Sequence, residues 1–194
     1  MKKEVELYID ENGEWLEKIS LVELPAIESN FLCFSKEDTF KFALEDEQII
    51  VTGPVMIPEK RMLRIDEYGN EYYVYFSAET IKQAAYRWLQ ENMNHQFNLE
   101  HSKNTNKVDV IESWIVNDSR NDKAASLGFS LPKGTWMLSA KINDEELWNE
   151  IKNGTYNGYS VEGMFRYEDE TFNKVLSDDE KIIREAEEFL ASMS

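Results

Sequence analysis

Residues 154–163 read "GTYNGYSVEG". Whether the chain beyond Ser160 runs on as a strand or turns into a helix decides which fold can hold that serine. Gly158, Ser160 and Gly163 make G-x-S-x-x-G. The nucleophile elbow of the α/β-hydrolases needs G-x-S-x-G followed by a helix. Here "GYSVEGMFRY" (158–167) reads as a strand, so an α/β-hydrolase is disfavoured. In a strand, side chains at i and i+2 share a face. Ser160, Glu162 and Met164 then point the same way. Taken alone, Ser160 is better read as a small residue that relieves crowding beside Tyr159.

A serine nucleophile needs a base within hydrogen-bond reach, and that base usually leans on a carboxylate. The chain has only two histidines. His95 follows a predicted helix, where a cation suits the helix dipole without further function. His101 lies in "NLEHS", at the end of a predicted strand that places Phe97, Leu99 and His101 on one face. The strand "KVDVIESWIV" (107–116) follows, with Val108, Val110 and Glu112 on a common face. An acid among apolar neighbours is expected to be paired or functional. As a base, His101 competes with its reading as a hydrogen-bonded structural histidine.

The flanking pattern is strand-rich. "KEVELYI" (3–9) alternates, Asn12-Gly13 signals a hairpin turn, and residues 19–34 with Pro25 read as an extended wrapping segment. "QIIVTGPVMIP" (48–58) is a strand whose prolines call for an edge or a bulge. "RMLRID" and "EYYVYFS" read as a hairpin about Tyr68-Gly69-Asn70. Ser77 caps a helix whose buried stripe is Ile81, Ala84, Ala85, Trp88 and Leu89. "KNTN" (103–106) reads as a turn, 117–134 as a polar loop and "TWMLSAKI" (135–142) as a strand. Asn143 with Glu146, and Ser177 with Glu180, look like capping boxes for a short helix ending at Gly154 and for a final acidic helix. The sum is α+β, with a curled sheet or a barrel.

Composition narrows the function. There are 21 Lys and Arg against 38 Asp and Glu, a formal charge of −17, which repels nucleic acid and anionic membranes. The single cysteine, Cys33, permits no internal disulfide. No apolar run reaches the roughly 20 residues of a membrane helix, and the N-terminus has no signal-peptide core. A soluble, intracellular protein is expected. His95, Glu100 and His101 lack metal-site spacing, and no Walker or Rossmann glycine pattern is present. No cofactor or metal is expected.

Several segments taken together are more specific than any one. The order "SLVELPAIESNF", "VTGPVMIPEKRMLR", "FNLEHS", "VIESWIV", "PKGTWMLSAKI", "WNEIKNGTYNGYSVEGMF" resembles the phage serine proteases of the XkdF-like type. These are relatives of phage prohead proteases and, more distantly, of herpesvirus capsid-assembly proteases. The resemblance covers roughly residues 20–167. It implies a closed or nearly closed β-barrel with peripheral helices, herpesvirus-protease-like, over residues 1–170, with 1–47 wrapping it. Residues 171–194 would be an acidic helix that starts a scaffold-like tail. It implies a serine endopeptidase in which His101 activates Ser160. The third member is a second histidine in the herpesvirus enzymes and an acid in the phage ones. No histidine follows Ser160, so an acid is expected, Glu162 first and Glu112 second. Arg120 and Arg166 are candidate helpers. Phage scaffold protein, capsid-protein extensions and the protease itself would be the substrates. The setting would be the procapsid in the host cytoplasm, with self-association allowed. The competing expectations are a non-catalytic assembly or scaffold protein that keeps the fold, and an unrelated binding domain.

Overall fold

A computed structural model describes residues 2–9, 16–24, 32–34, 49–66, 68–163 and 165–167. In chain order the strands are β1 (Lys3–Tyr8), β2 (Leu16–Val22), β3 (Leu32–Phe34), β4 (Ile50–Met56), β5 (Met62–Ile65), β6 (Glu71–Phe76), β7 (Phe97–Leu99), β8 (Lys103–Thr105), β9 (Val108–Ile115), β10 (Trp136–Ile142), β11 (Gly158–Gly163) and β12 (Arg166–Tyr167). The helices are α1 (Ala78–Gln90), α2 (Lys123–Ser126) and α3 (Glu145–Lys152), with a 3-10 turn at Met93–His95. The strands form three four-stranded sheets, ordered β12-β1-β6-β5, β3-β4-β10-β9 and β11-β2-β7-β8. This is a strand-rich α+β fold. Among the described residues no sheet closes on itself into a barrel. None of the described helices is long and apolar enough to cross a membrane.

Period-two burial sets the first sheet. Val5 and Leu7 of β1, and Tyr72, Val74 and Phe76 of β6, face the core. The two strands run parallel, with Val5 opposite Val74 and Leu7 opposite Phe76. β5 and β6 form the expected hairpin. Asp66 closes it by accepting from the backbone N–H groups of Tyr68 and Asn70. The Asn12-Gly13 turn lies outside the described residues. The strands on either side of it join different sheets, so they are not hairpin partners. A local turn signal does not choose the pairing; the apolar faces do.

Pro54 sits inside β4, an internal strand. The ladder with β10 is irregular there, with Met137 opposite Pro54 and Trp136 opposite Met56. A bulge accommodates the missing donor. The expected wrapping segment begins instead as β2, an internal strand between β11 and β7 whose Leu16, Ile19 and Leu21 are fully buried. "KNTN" is likewise strand β8 rather than a turn. The cap of α3 is Asp144, which accepts from the Leu147 N–H, rather than Asn143. Residues 158–167 divide between two sheets as β11 and β12. The expected C-terminal helix lies outside the described residues.

Ser77 caps α1 by accepting from the Thr80 N–H. Thr80, Ile81, Ala84, Ala85 and Trp88 form its buried face, while Leu89 turns outward. Trp88 starts a run of ring contacts. It meets Trp136 edge-on at 5.6 Å and Phe97 at 6.4 Å, and Phe97 lies 6.5 Å from Tyr159. Each such pair contributes about 0.5–1.5 kcal/mol beyond its burial. The Tyr159 hydroxyl also donates to the buried Val51 carbonyl. These contacts join α1, β10, β7 and β11 through residues that directly precede Asn98 and Ser160.

The loop before β10 turns at Gly134, where φ is +94° and an added Cβ would lie 2.6 Å from the Ala78 Cβ. Gly69 also has positive φ but opens onto free space. Gly134→Ala is expected to cost about 2–4 kcal/mol, backbone strain plus overpacking, and Gly69→Ala only about 1–2 kcal/mol. Denaturant unfolding of the two variants checks the order; equal losses would mean that Ala78 yields freely.

Candidate active site

Strand register builds the site. In the β11-β2-β7 part of the third sheet, Ser160 stands opposite Ser20, and Ser20 opposite Asn98. The adjacent rows are Tyr159, Leu21 and Leu99, and Val161, Ile19 and Phe97. Those rows carry core side chains, so alternation turns Ser160, Ser20 and Asn98 to the opposite face. Neighbouring strands lie about 4.8 Å apart, which makes this a short polar ladder. Ser20 and Asn98 are 0% and 2% exposed. Buried polar groups of this kind need partners.

His101 completes the ladder from a turn. β7 ends at Leu99, and φ is +49° at Glu100 and +54° at His101. The Ser102 N–H donates to the Leu99 carbonyl at 3.1 Å. Two successive positive φ values closed by this bond give the sign pattern of a type I′ turn, in which glycine or asparagine is the usual occupant. A non-glycine residue held there costs about 1–3 kcal/mol. The turn is tied to the end of β2 in compensation. The Glu100 N–H donates to the Leu21 carbonyl at 3.0 Å, and the Glu23 N–H donates to Glu100 Oε1 at 2.6 Å. This turn corrects the alternation expected for "FNLEHS". Phe97 faces the core, and His101 is redirected to the face of Asn98.

The side chains then meet in series. His101 Nε2 lies 3.1 Å from Ser160 Oγ, and His101 Nδ1 lies 2.9 Å from Ser20 Oγ. Ser20 Oγ is hydrogen-bonded to Asn98 Oδ1. Asn98 Nδ2 donates to Glu162 Oε2 at 2.6 Å. That carboxylate oxygen is also 3.7 Å from His101 Nδ1, an ion-pair distance once the ring is protonated. The His101 and Glu162 side chains are 41% and 35% exposed, open to solvent and to an incoming chain. The arrangement can pass a proton from a serine hydroxyl to an imidazole beside a carboxylate.

Other candidates lie elsewhere. Glu112 is on β9 in a different sheet, opposite Ser139. It pairs with Lys123 and accepts from Ser139 Oγ at 3.0 Å. Its acid in an apolar strand is thus a paired one. His95 stands in the 3-10 turn beside Asn94 and Asp109. Arg120 belongs to a loop turn in which its N–H donates to Asp118, and Arg166 lies opposite Tyr8 in the first sheet. Among the described residues no group of three or more His, Cys, Asp or Glu side chains could hold a metal ion. Ser20 and Asn98 were missed by sequence reasoning. Both are polar residues between two apolar ones, Ile19 and Leu21 or Phe97 and Leu99. That signal marks a polar face but not what it serves.

Residues 39–168 match the family described as "Putative phage serine protease XkdF". The chain belongs to this family. It is 30% identical over 154 residues to the phage-like element PBSX protein XkdF of Bacillus subtilis (strain 168), covering 78% of this chain and 48% of that protein. It is 29% identical over 130 residues to the uncharacterized protein YqbD of the same strain, covering 67% of this chain and 36% of that protein. The chain thus spans half or less of the length of these relatives. No solved structure matches it, and a herpesvirus-protease-like fold is not shown.

The Glu112 carboxyl is held below its ordinary value of 4.5, first by Lys123 and then by the Ser139 hydroxyl. A lowered folded-state value stabilises the fold above the unfolded value and loses that contribution as pH falls through the folded one. Glu112 is 45% exposed, so solvent screening limits the effect to less than about 1 kcal/mol. Glu112→Gln is expected to be slightly less stable than wild type at pH 7. The gap should close as the pH falls below 4.5 and through the lowered folded-state value. Urea unfolding at a series of pH values measures it; a gap independent of pH would remove the ion pair as its source.

Proposed function

We propose that this protein is a serine endopeptidase with Ser160 as nucleophile, His101 as general base and Glu162 as the acid of the triad. The observation that carries the proposal is the 3.1 Å approach of His101 Nε2 to Ser160 Oγ. Side chains from a strand and a separate hairpin turn meet there. The family description, which names a phage serine protease, supports the same chemistry.

The reaction is acyl transfer. Ser160 Oγ adds to the carbonyl carbon of a peptide bond as its proton passes to His101 Nε2. The imidazolium faces Glu162 across 3.7 Å, where the carboxylate stabilises the new charge. The tetrahedral intermediate collapses, and the Nε2 proton leaves with the amine. Water then adds to the acyl-enzyme, with His101 as base again, and Ser160 is regenerated. The substrates are read as phage scaffold protein, capsid-protein extensions and the protease itself, cut inside the procapsid before DNA enters. The acidic balance of the chain suits packing among basic partners in such a shell. A non-catalytic assembly protein with the same fold is the second reading; it predicts an inert Ser160.

Fluorophosphonate labelling followed by peptide mapping separates the two. Wild type should be labelled at Ser160 and Ser160→Ala not at all. His101→Ala should slow labelling by a factor on the order of 10²–10⁴. Glu162→Gln should slow it by up to about fivefold, since an exposed charge pair is worth about 0.2–1 kcal/mol, and Glu112→Gln should leave it unchanged. An unlabelled wild type would overturn the proposal. Co-expression with the cognate capsid and scaffold proteins tests the substrates. Shortened products are expected with wild type and not with Ser160→Ala; equal processing by both removes Ser160 from the reaction.

A further inference from the structure

We infer that Ser20 and Asn98 are positioning residues that set the tautomer of His101, so that Nε2 is the unprotonated nitrogen facing Ser160. The inference deepens the protease reading above and rests on it for its catalytic meaning. The order of protons along the ladder follows from what each group can donate. An ionised carboxylate only accepts, so the atom of Asn98 that lies 2.6 Å from Glu162 Oε2 is its amide nitrogen. Asn98 Oδ1 is thereby turned to Ser20 Oγ. A carbonyl oxygen only accepts, so the Ser20 hydroxyl spends its one proton on Asn98. Ser20 Oγ can then only accept from the ring nitrogen 2.9 Å away, and the proton there lies on His101 Nδ1. Nε2 is left with a lone pair directed at Ser160 Oγ, 3.1 Å away.

The direction of every hydrogen bond is thus dictated from Glu162, two residues from the nucleophile on the same strand. In the familiar triad an acid touches the imidazole and holds the tautomer itself. Here the Glu162 carboxylate lies at 3.7 Å from Nδ1, beyond hydrogen-bond length, and two neutral side chains transmit its effect. Both are almost completely buried, where competing water is excluded and the bonds are strong.

Tautomer is read directly by nitrogen-15 NMR of histidine-labelled protein, which needs no substrate. With two histidines in the chain, a His95→Gln variant assigns the signals. The spectrum is taken roughly two pH units above about 6.5, the value at which an ordinary imidazole loses its proton. Wild type is expected to show His101 protonated at Nδ1. Ser20→Ala should give a mixture and label with fluorophosphonate about five- to tenfold more slowly, the loss of one hydrogen bond. Ser20→Thr, which keeps the hydroxyl, should retain the wild-type tautomer. If Ser20→Ala does not fold, Glu162→Ala, at a partly exposed side chain, should release Asn98 and mix the tautomers in the same way. A wild-type ring protonated at Nε2, or a tautomer unchanged by Ser20→Ala or Glu162→Ala, overturns the inference. A wild-type ring protonated at Nδ1 with Ser160 unlabelled overturns the protease reading alone, because the ladder would then be in order without a reactive serine.

Discussion

The register of β2 between β11 and β7 is the constraint on which the site depends. It is an antiparallel pairing on one side and a parallel one on the other. Only one alignment puts Ser20 between Ser160 and Asn98. A slip of one residue against either neighbour would bring Ile19 or Leu21 onto the polar face and send Ser20 into the core. Both faces resist the slip. Ile19 and Leu21 are fully buried on one side, and Ser20 must keep its partners on the other. The apolar rows and the polar row are therefore one arrangement, and the stability of the sheet is also the alignment of the site.

The aromatic core reaches the same positions from beneath. Tyr159 and Phe97 are buried and adjacent in sequence to Ser160 and Asn98, and they join Trp88 and Trp136 in one run of ring contacts. A nucleophile elbow holds its serine by a sharp turn. A strand-borne serine has no such turn, and its position is only as firm as the strand. Packing Tyr159 between the core and the Val51 carbonyl supplies that firmness. The strained part is moved to the turn that carries the imidazole, where Glu100 and His101 hold positive φ and the backbone is tied to β2.

What could be read in advance follows from range. Strand and helix periodicity is local, so β1, β4, β6, β9, β10 and α1 were legible from alternation, caps and stripes. The shared face of Ser160 and Glu162 was legible for the same reason, being a property of one strand. Sheet partners were not. Nothing in residues 3–22 says that β1 runs beside β6 while β2 runs beside β7 in a different sheet. His101 was singled out by the scarcity of histidines, but its orientation was misread, because "LEHS" carries no glycine or asparagine to announce a turn. Glu112 looked like a rival to Glu162 only while the two strands lacked a common frame; β9 and β11 belong to different sheets. Ser20 lies more than a hundred residues from Ser160 in the chain, and only the sheet makes them neighbours.

The placement of charge within the site follows a physical division. Glu162 and His101 are partly exposed, and a bare ion pair between them would be weakened by water and salt. Such a pair can stabilise a charge that appears on the ring, but it is a poor means of fixing which nitrogen holds a proton beforehand. Fixing a proton needs directional bonds shielded from solvent. Ser20 and Asn98 provide those bonds at almost no exposure and without a buried charge, whose desolvation would cost several kcal/mol. The carboxylate can therefore stay partly exposed, while neutral groups behind it carry its orientation inward. Separating the source of the charge from the means of alignment lets a partly exposed imidazole be held in one orientation.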